Sequence, residues 1–326
     1  MPQHSIIPFW RLLRYNRRVF EPFSTPLDAT TRFCAVYGWP VRHSASPAMH
    51  NAALAALGLN WRYLACEVHP HNLSIALAGA RTMNFIGLNL TVPHKLLALD
   101  LMDLLDDSAR QWGAVNTVVF EARDETGEWR PLAQLSEPSR TVRAHGYNTD
   151  AEALVQALRE DLELEVRGAK IVVLGSGGAG RTAALKLAAE GAAELFLLNR
   201  TQSKAEAVAR EIQMRFPQVA VQLDYPAHGA DLLLNATSLG LRSADPLPLD
   251  EARLNLKCVR AVYDMIYRPA QTPLLELAKA AGCRVANGLG MLLYQGARAL
   301  ELWSGRPAPV AAMRKALDTN IYGSPL

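Results

Sequence analysis

The chain has 326 residues, half of them hydrophobic and only 20% charged, so it can bury a substantial core and exceeds the usual single-core domain. Thirty-four basic against 31 acidic residues leave a formal charge of +3, too balanced for a nucleic-acid or membrane-surface partner, although a small anionic ligand needs only local charge. No apolar run approaches the roughly 20 residues of a membrane span, and Cys34, Cys66, Cys258 and Cys283 show no metal-ligand spacing, which favours reduced thiols in a cytoplasmic protein without a metal.

Residues 1–31 precede the regular patterning. Arg11, Arg14, Arg17 and Arg18 interleave with Trp10, Leu12, Leu13, Tyr15 and Phe20, and no acid appears before Glu21. That resembles an organelle transit peptide, but a short amphipathic helix lying on the body, or a loose extension, is the preferred reading. Phe33–Gly38 then reads as a buried strand, Pro47–Leu57 as a helix ended by Gly58, Trp61–Val68 as a strand, Leu73–Thr82 as a helix and Phe85–Val92 as a strand closed by Pro93. Alternating strands and helices predict a parallel or mostly parallel sheet. Between Val118 and Tyr147 the pattern loosens into a hairpin with a long tip, with turns at 124–127 and 136–139.

A helix from Asp150 to about Leu162 leads to the strand 169–174 and a second α/β unit. Its further strands are Glu194–Asn199, Ala220–Leu223, Asp231–Asn235 and Ala261–Tyr263, separated by helical stretches. Helices at Leu292–Trp303 and Val310–Leu317 can pack on either unit.

Gly175-Ser176-Gly177-Gly178-Ala179-Gly180 follows the apolar strand and opens the helical stretch 181–190, which is the context a dinucleotide fingerprint requires. Gly175 permits the tight turn, Gly177 admits the pyrophosphate and Gly180 lets helix pack on strand; the helix N-terminus adds amide donors. The next strand ends in Asn199-Arg200-Thr201 rather than in the acid that accepts from an unmodified ribose. Arg200 and, one turn on, Lys204 suit a 2′-phosphate, so NADP is expected over NAD. Solvated bases at a helix start are the bland alternative.

Polar clusters also stand out at 44–47 (Ser-Ala-Ser-Pro), 89–95 (Asn-Leu-Thr-Val-Pro-His-Lys), 114–117 (Ala-Val-Asn-Thr) and 148–150 (Asn-Thr-Asp). Ligands of open α/β sheets sit beyond the carboxyl ends of strands, where Ser44, Thr91 and Lys95 fall. Ser44 and Ser46 are also fitted merely to cap the helix that starts near Pro47.

With His50-Asn51 and with Asn235-Ala236-Thr237-Ser238, Tyr263-Asp264-Met265-Ile266-Tyr267 and the run 288–295, these clusters resemble the shikimate dehydrogenase family from about 33 to 318. The resemblance implies a two-domain α/β enzyme with a cleft, an N-terminal substrate domain of 32–149 plus 287–326 and a Rossmann-type NADP-binding domain of 150–286. It implies Lys95 and Asp150 as the catalytic pair for reducing 3-dehydroshikimate. Ser44, Ser46 and Tyr267 belong near the substrate carboxylate, and Thr91, Asn116, Asp150 and Gln295 on the ring hydroxyls. Thr237, Gly288 and Met291 join the glycine loop, Asn199, Arg200, Thr201 and Lys204 on the cofactor side. The expected assembly is a monomer or homodimer. Quinate/shikimate dehydrogenases using NAD or NADP, and a non-catalytic metabolite sensor, are the alternatives. Ala151, Tyr147, Leu241 and Asn287 depart from the family's usual residues, and neither 1–31 nor the tip near 123–142 is covered by the resemblance.

Overall fold

The computed structural model describes residues 27–136, 141–242 and 244–323. The basic, aromatic segment 1–20 and most of the turn at 136–139 lie outside the described residues. Two β-sheets form among them.

The first sheet contains β1 (Arg32–Gly38), β2 (Trp61–Glu67), β3 (Gly87–Leu90), β4 (Leu104–Leu105), β5 (Thr117–Arg123), β6 (Trp129–Pro131) and β7 (Val142–Tyr147). Their order is β2-β1-β3-β5-β7-β4, with β6 paired to β5. β1 pairs in parallel with β2 and β3, through Arg32↔Trp61 and Cys34↔Gly87. The sheet is mostly parallel, as expected, with one exception: β5 runs antiparallel to β3, β6 and β7, as Gly87↔Val119 and Thr117↔Tyr147 show, while the other strands share one direction. The turn at Asp124–Gly127 reverses the chain after β5 and lays β6 antiparallel beside it. There Gly127 takes φ +85° and its amide donates to the Asp124 carbonyl at 3.0 Å.

Helices α1 (Ser46–Ala56), α2 (Leu73–Thr82), α3 (His94–Leu97) and α4 (Asp107–Trp112) complete this unit, and α5 (Asp150–Leu162) leaves it. The second sheet is wholly parallel. Its strands are β8 (Lys170–Leu174), β9 (Glu194–Leu198), β10 (Ala220–Gln222), β11 (Ala230–Asn235), β12 (Val259–Asp264) and β13 (Arg284–Asn287). The order β10-β9-β8-β11-β12-β13 is the doubly wound dinucleotide-binding arrangement. Its helices are α6 (Gly178–Ala189), α7 (Gln202–Arg215) and α8 (Pro273–Ala280). β4, α4, β6 and β13 had no distinct sequence signal, and the C-terminal helices are longer than the pattern indicated: α9 (Leu289–Ser304) and α10 (Val310–Tyr322).

α5 and α9 are the two crossings between the sheets, and they pack on each other. Ala151, Leu154, Leu158 and Leu162 make one buried face of α5 at helical spacing, continuous with a core that takes in Val36, Met49, Ile171 and Leu300. Gly290 permits the close approach: a Cβ there would stand 3.1 Å from that of Ala157 and 2.0 Å from Asp161 Oδ2. Farther along α9, Trp303 is fully buried and its indole donates to the Val118 carbonyl of β5 at 3.0 Å. It occupies the space that a side chain at Gly87 would need. The returning helix is therefore fastened to the first sheet.

Trp303→Ala is expected to cost about 3–5 kcal/mol, the range for emptying a large aromatic site in a core. Urea unfolding measures this, and a loss below about 1 kcal/mol would show that α9 does not depend on that seat.

Candidate active site

Thr91 ends β3 by donating its amide to Tyr37 O, and its own carbonyl accepts from the His94 amide at 2.8 Å. This turn starts the short α3 and presents Lys95, whose carbonyl is fixed by the Val115 amide at 2.9 Å. Asp150 opens α5, where the helix N-terminus favours an acid. Lys95 Nζ and Asp150 Oδ2 stand 2.7 Å apart, with the lysine side chain 29% and the carboxylate 10% exposed. Two positions 55 residues apart thus form one partly buried ion pair.

The other polar residues join in a buried network. Tyr63 donates to Asn89 Oδ1 at 2.7 Å, Asn89 Nδ2 donates to Thr117 Oγ1 at 3.1 Å, and Thr117 lies 3.2 Å from Thr149 Oγ1. Asn116 Oδ1 accepts from the Thr149 amide at 2.8 Å while its Nδ2 donates to Thr149 Oγ1 at 2.9 Å and, at 3.4 Å, to Gln295 Oε1. Thr149 Oγ1 also donates to the Gln295 carbonyl at 3.1 Å. Asn116 and Gln295, 179 residues apart, are therefore neighbours.

Ser46 reaches the same network through Tyr63, whose hydroxyl pKa is raised by burial against an opposing hydrogen bond with Ser46. Ser44 meets Tyr267 from the second unit: burial raises the tyrosine's pKa, and hydrogen bonds with the Ala45 backbone and the Ser44 side chain oppose it. Capping does not account for the two serines. Ser44 Oγ accepts only a long 3.3 Å bond from the Ser46 amide, and no side chain caps α1.

The glycine loop lies at the start of α6. Gly175 takes φ +100°, and a Cβ on Gly180 would sit 2.0 Å from Gly175 O, so both glycines are needed for the turn itself. Gly177 and Gly178 have no atom within 4 Å of an added Cβ, which leaves space in front of the α6 N-terminus. Ser176 donates its amide to Asn199 Oδ1 at 3.0 Å. Arg200, Thr201 and Lys204 are exposed beside it, and neither base has an ion-pair partner among the described residues. The loop, the helix N-terminus and these two bases fit a phosphorylated dinucleotide.

A cavity of about 280 Å³ unites the two halves, with Lys95 and Asp150 at one wall and Gly178, Ala179, Met265 and Met291 at the other. Thr237 is set beside Gly175 by Asn235, whose Oδ1 accepts from the Thr237 hydroxyl at 2.7 Å. Gly288 approaches the backbone at Met265, where a Cβ would stand 2.1 Å from the carbonyl. A larger hollow of about 400 Å³ between α8 and α10 is lined by none of the residues assigned to substrate or cofactor.

Residues 36–118 match the model of the shikimate dehydrogenase substrate binding domain, 156–240 that of shikimate/quinate 5-dehydrogenase, and 288–317 that of the shikimate 5′-dehydrogenase C-terminal domain. A shikimate dehydrogenase (NADP(+)) of Methanopyrus kandleri is 41% identical over 309 residues, 91% of this chain and 99% of its own length. The chain belongs to the shikimate dehydrogenase family. Among solved structures, a family member crystallised with NADP+ is 34% identical, with a TM-score of 0.78 over 92% of this chain and 99% of that one. The enzyme of Thermus thermophilus, in complex with NADP(H) and shikimate, is 35% identical, with a TM-score of 0.73 over 89% and 99%. The two-domain α/β architecture, substrate domain and Rossmann-type domain about a cleft, is that of the family.

Asn89, Asn148, Thr149 and Thr117 stand inside the quoted clusters without an assigned part, and Tyr63 has no functional reading from the sequence. A polar Asn89 between Leu88 and Leu90 in a wholly buried strand was the available signal.

Gly180→Val should lower stability by at least about 1–3 kcal/mol, since the added carbons meet backbone. Gly178→Val should stay within about 1 kcal/mol of the parent. Thermal unfolding of both variants checks the contrast, and equal destabilisation would contradict the loop geometry.

Proposed function

We propose that this chain catalyses the NADP-dependent, reversible reduction of 3-dehydroshikimate to shikimate in aromatic amino-acid biosynthesis. The observation that carries the reading is the Lys95–Asp150 pair at one wall of a cavity whose other wall is the open face of the glycine loop. The substrate domain comprises 32–149 and 287–326, and the cofactor domain 150–286. Gly175, Ser176, Gly177, Gly178, Ala179 and Gly180 hold the pyrophosphate, and Asn199, Arg200, Thr201 and Lys204 the 2′-phosphorylated ribose. Thr237, Gly288 and Met291 border the rest of the dinucleotide.

NADPH, when bound, supplies the hydride. Lys95 donates to the ketone oxygen, stabilises the negative charge that develops there and delivers the proton. Asp150 orients that ammonium and accepts from a neighbouring ring hydroxyl. Val92, Leu154, Met265 and Met291 give the cavity apolar walls, and excluding water strengthens the field of the ammonium. Ser44, Ser46 and Tyr267 bind the carboxylate, while Thr91, Asn116 and Gln295 hold ring hydroxyls. The free cysteines accord with a cytoplasmic enzyme, which acts as a monomer or homodimer.

Oxidation of shikimate and quinate, each with NADP+ and NAD+, tests the reading. Shikimate with NADP+ should give the highest kcat/KM. Replacing Arg200 and Lys204 together by alanine should erase much of the NADP preference, at about 1.5–3 kcal/mol per charged contact. Equal efficiency of the parent with NAD+ would contradict the role of this pair, efficient quinate oxidation would change the substrate, and binding without turnover would favour a sensor.

Lys95→Ala and Asp150→Asn should each lower kcat by about 10²-fold or more, as expected for loss of a positioned acid–base group, with NADP+ affinity nearly unchanged. Turnover within a few-fold of the parent in both would overturn the catalytic assignment.

A further inference from the structure

Asn148 touches neither of the charges at the site, yet its side chain is spent on holding one of them in place. Its Oδ1 accepts from the Asp150 amide at 3.1 Å and from the Ala151 amide at 3.2 Å, the first two N–H groups of α5. Its Nδ2 donates to the Ala114 carbonyl at 3.0 Å, and its own amide donates to Ser108 Oγ at 3.1 Å. Asn148 is 3% exposed, so no water competes for these bonds. The far end of the brace is itself fixed, because Arg181 of α6 donates to the Trp112 carbonyl at 2.7 Å, two residues before Ala114.

A helix N-terminus leaves its first amides without partners, and a buried one must find them or shift. We infer that Asn148 is a positioning residue for the reaction: it satisfies the first two amides of α5, ties them to the 112–114 loop and so holds the Asp150 carboxylate on Lys95. The inference rests on the catalytic reading of that pair. An asparagine does this with both ends of one amide. Alanine does neither, while serine keeps a neutral side-chain acceptor for the opening amides of α5 and loses the link to Ala114.

The full-length chain is assayed with shikimate and NADP+. Asn148→Ala should lose about 10- to 100-fold in kcat, the scale of a misplacement near 1 Å, with KM for both substrates changed less than about three-fold. Asn148→Ser should recover part of that loss. A crystal structure of the alanine variant should show Asp150 beyond the roughly 4 Å of an ion pair with Lys95. Parental kcat in Asn148→Ala, or a loss expressed wholly in KM, overturns the inference. Should the alanine chain not fold, Asn148→Ser decides alone: kcat within about ten-fold of the parent with KM unchanged supports it, and a larger loss, or one expressed in KM, overturns it. A parent active on quinate but not on shikimate overturns the substrate reading only, and the same comparison is then made with quinate.

Discussion

A buried carboxylate has to be compensated where it stands, and Asp150 is the case on which this molecule turns. Its side chain, 10% exposed, has little access to water, so the chain brings it a cation, Lys95, and sets it at the positive end of a helix. Both compensations are positional. Lys95 comes from the turn after β3, and the helix is α5, the outward crossing from one sheet to the other. The charge pair therefore belongs to neither sheet alone, and it stands where the substrate side and the glycine loop share a wall.

The return crossing completes the site by the same logic. α9 carries Gln295 to Asn116, and the small residues Gly290 and Gly296 let it lie close to α5 and α1. The bond between Asn116 Nδ2 and Gln295 Oε1 is 3.4 Å, long for an amide pair, so exchanging it for bonds to a ligand hydroxyl gives up little. Asn116's other contacts, to Thr149, are short and hold the side chain ready. Preorganisation of this kind keeps the ordering of polar groups out of the binding step. Apart from Lys95, Asp150 and Thr182, the side chains of the adjoining cavity are apolar, Val92, Leu154, Met265 and Met291 among them, which suits the flat face of a ring and keeps water from beside the ammonium.

How much of this the sequence disclosed follows from the range of the forces involved. The second sheet was legible strand by strand because each of its buried strands is an apolar run and the glycine loop marks the first turn; only β13, half-buried throughout and reading Arg-Val-Ala-Asn, gave no pattern. In the first sheet, β4 has two residues and β6 reads Trp-Arg-Pro, too short for periodicity to register. The antiparallel pairing of β3 with β5 is a long-range choice that no local pattern encodes. Lys95 and Asp150 were legible by resemblance, whereas the bracing of Asp150 by Asn148 required coordinates, since one asparagine side chain serving two elements leaves no mark on spacing.

The departures from the family pattern carry their own physical account. Ala151 adds a methyl group to the wall of the cavity, yet α5 still begins at Asp150 because its opening amides are held by Asn148 and not by a glycine conformation. Tyr147, in place of an acid, sets its hydroxyl 2.9 Å from His145 Nδ1, the same nitrogen that stands 3.1 Å from Glu121 Oε1, so that face remains polar. Asn287 is the most informative. Its Oδ1 accepts from the Leu289 amide at 3.0 Å, a bond that aspartate makes equally well, but its Nδ2 donates to the Ala270 carbonyl at 2.9 Å, which a carboxylate cannot do. Ala270 lies three residues beyond Tyr267. The amide thus binds the loop that carries Tyr267 to the opening turn of α9, the helix that carries Gln295, and joins two parts of the site that an acid would leave to repel each other's oxygen atoms.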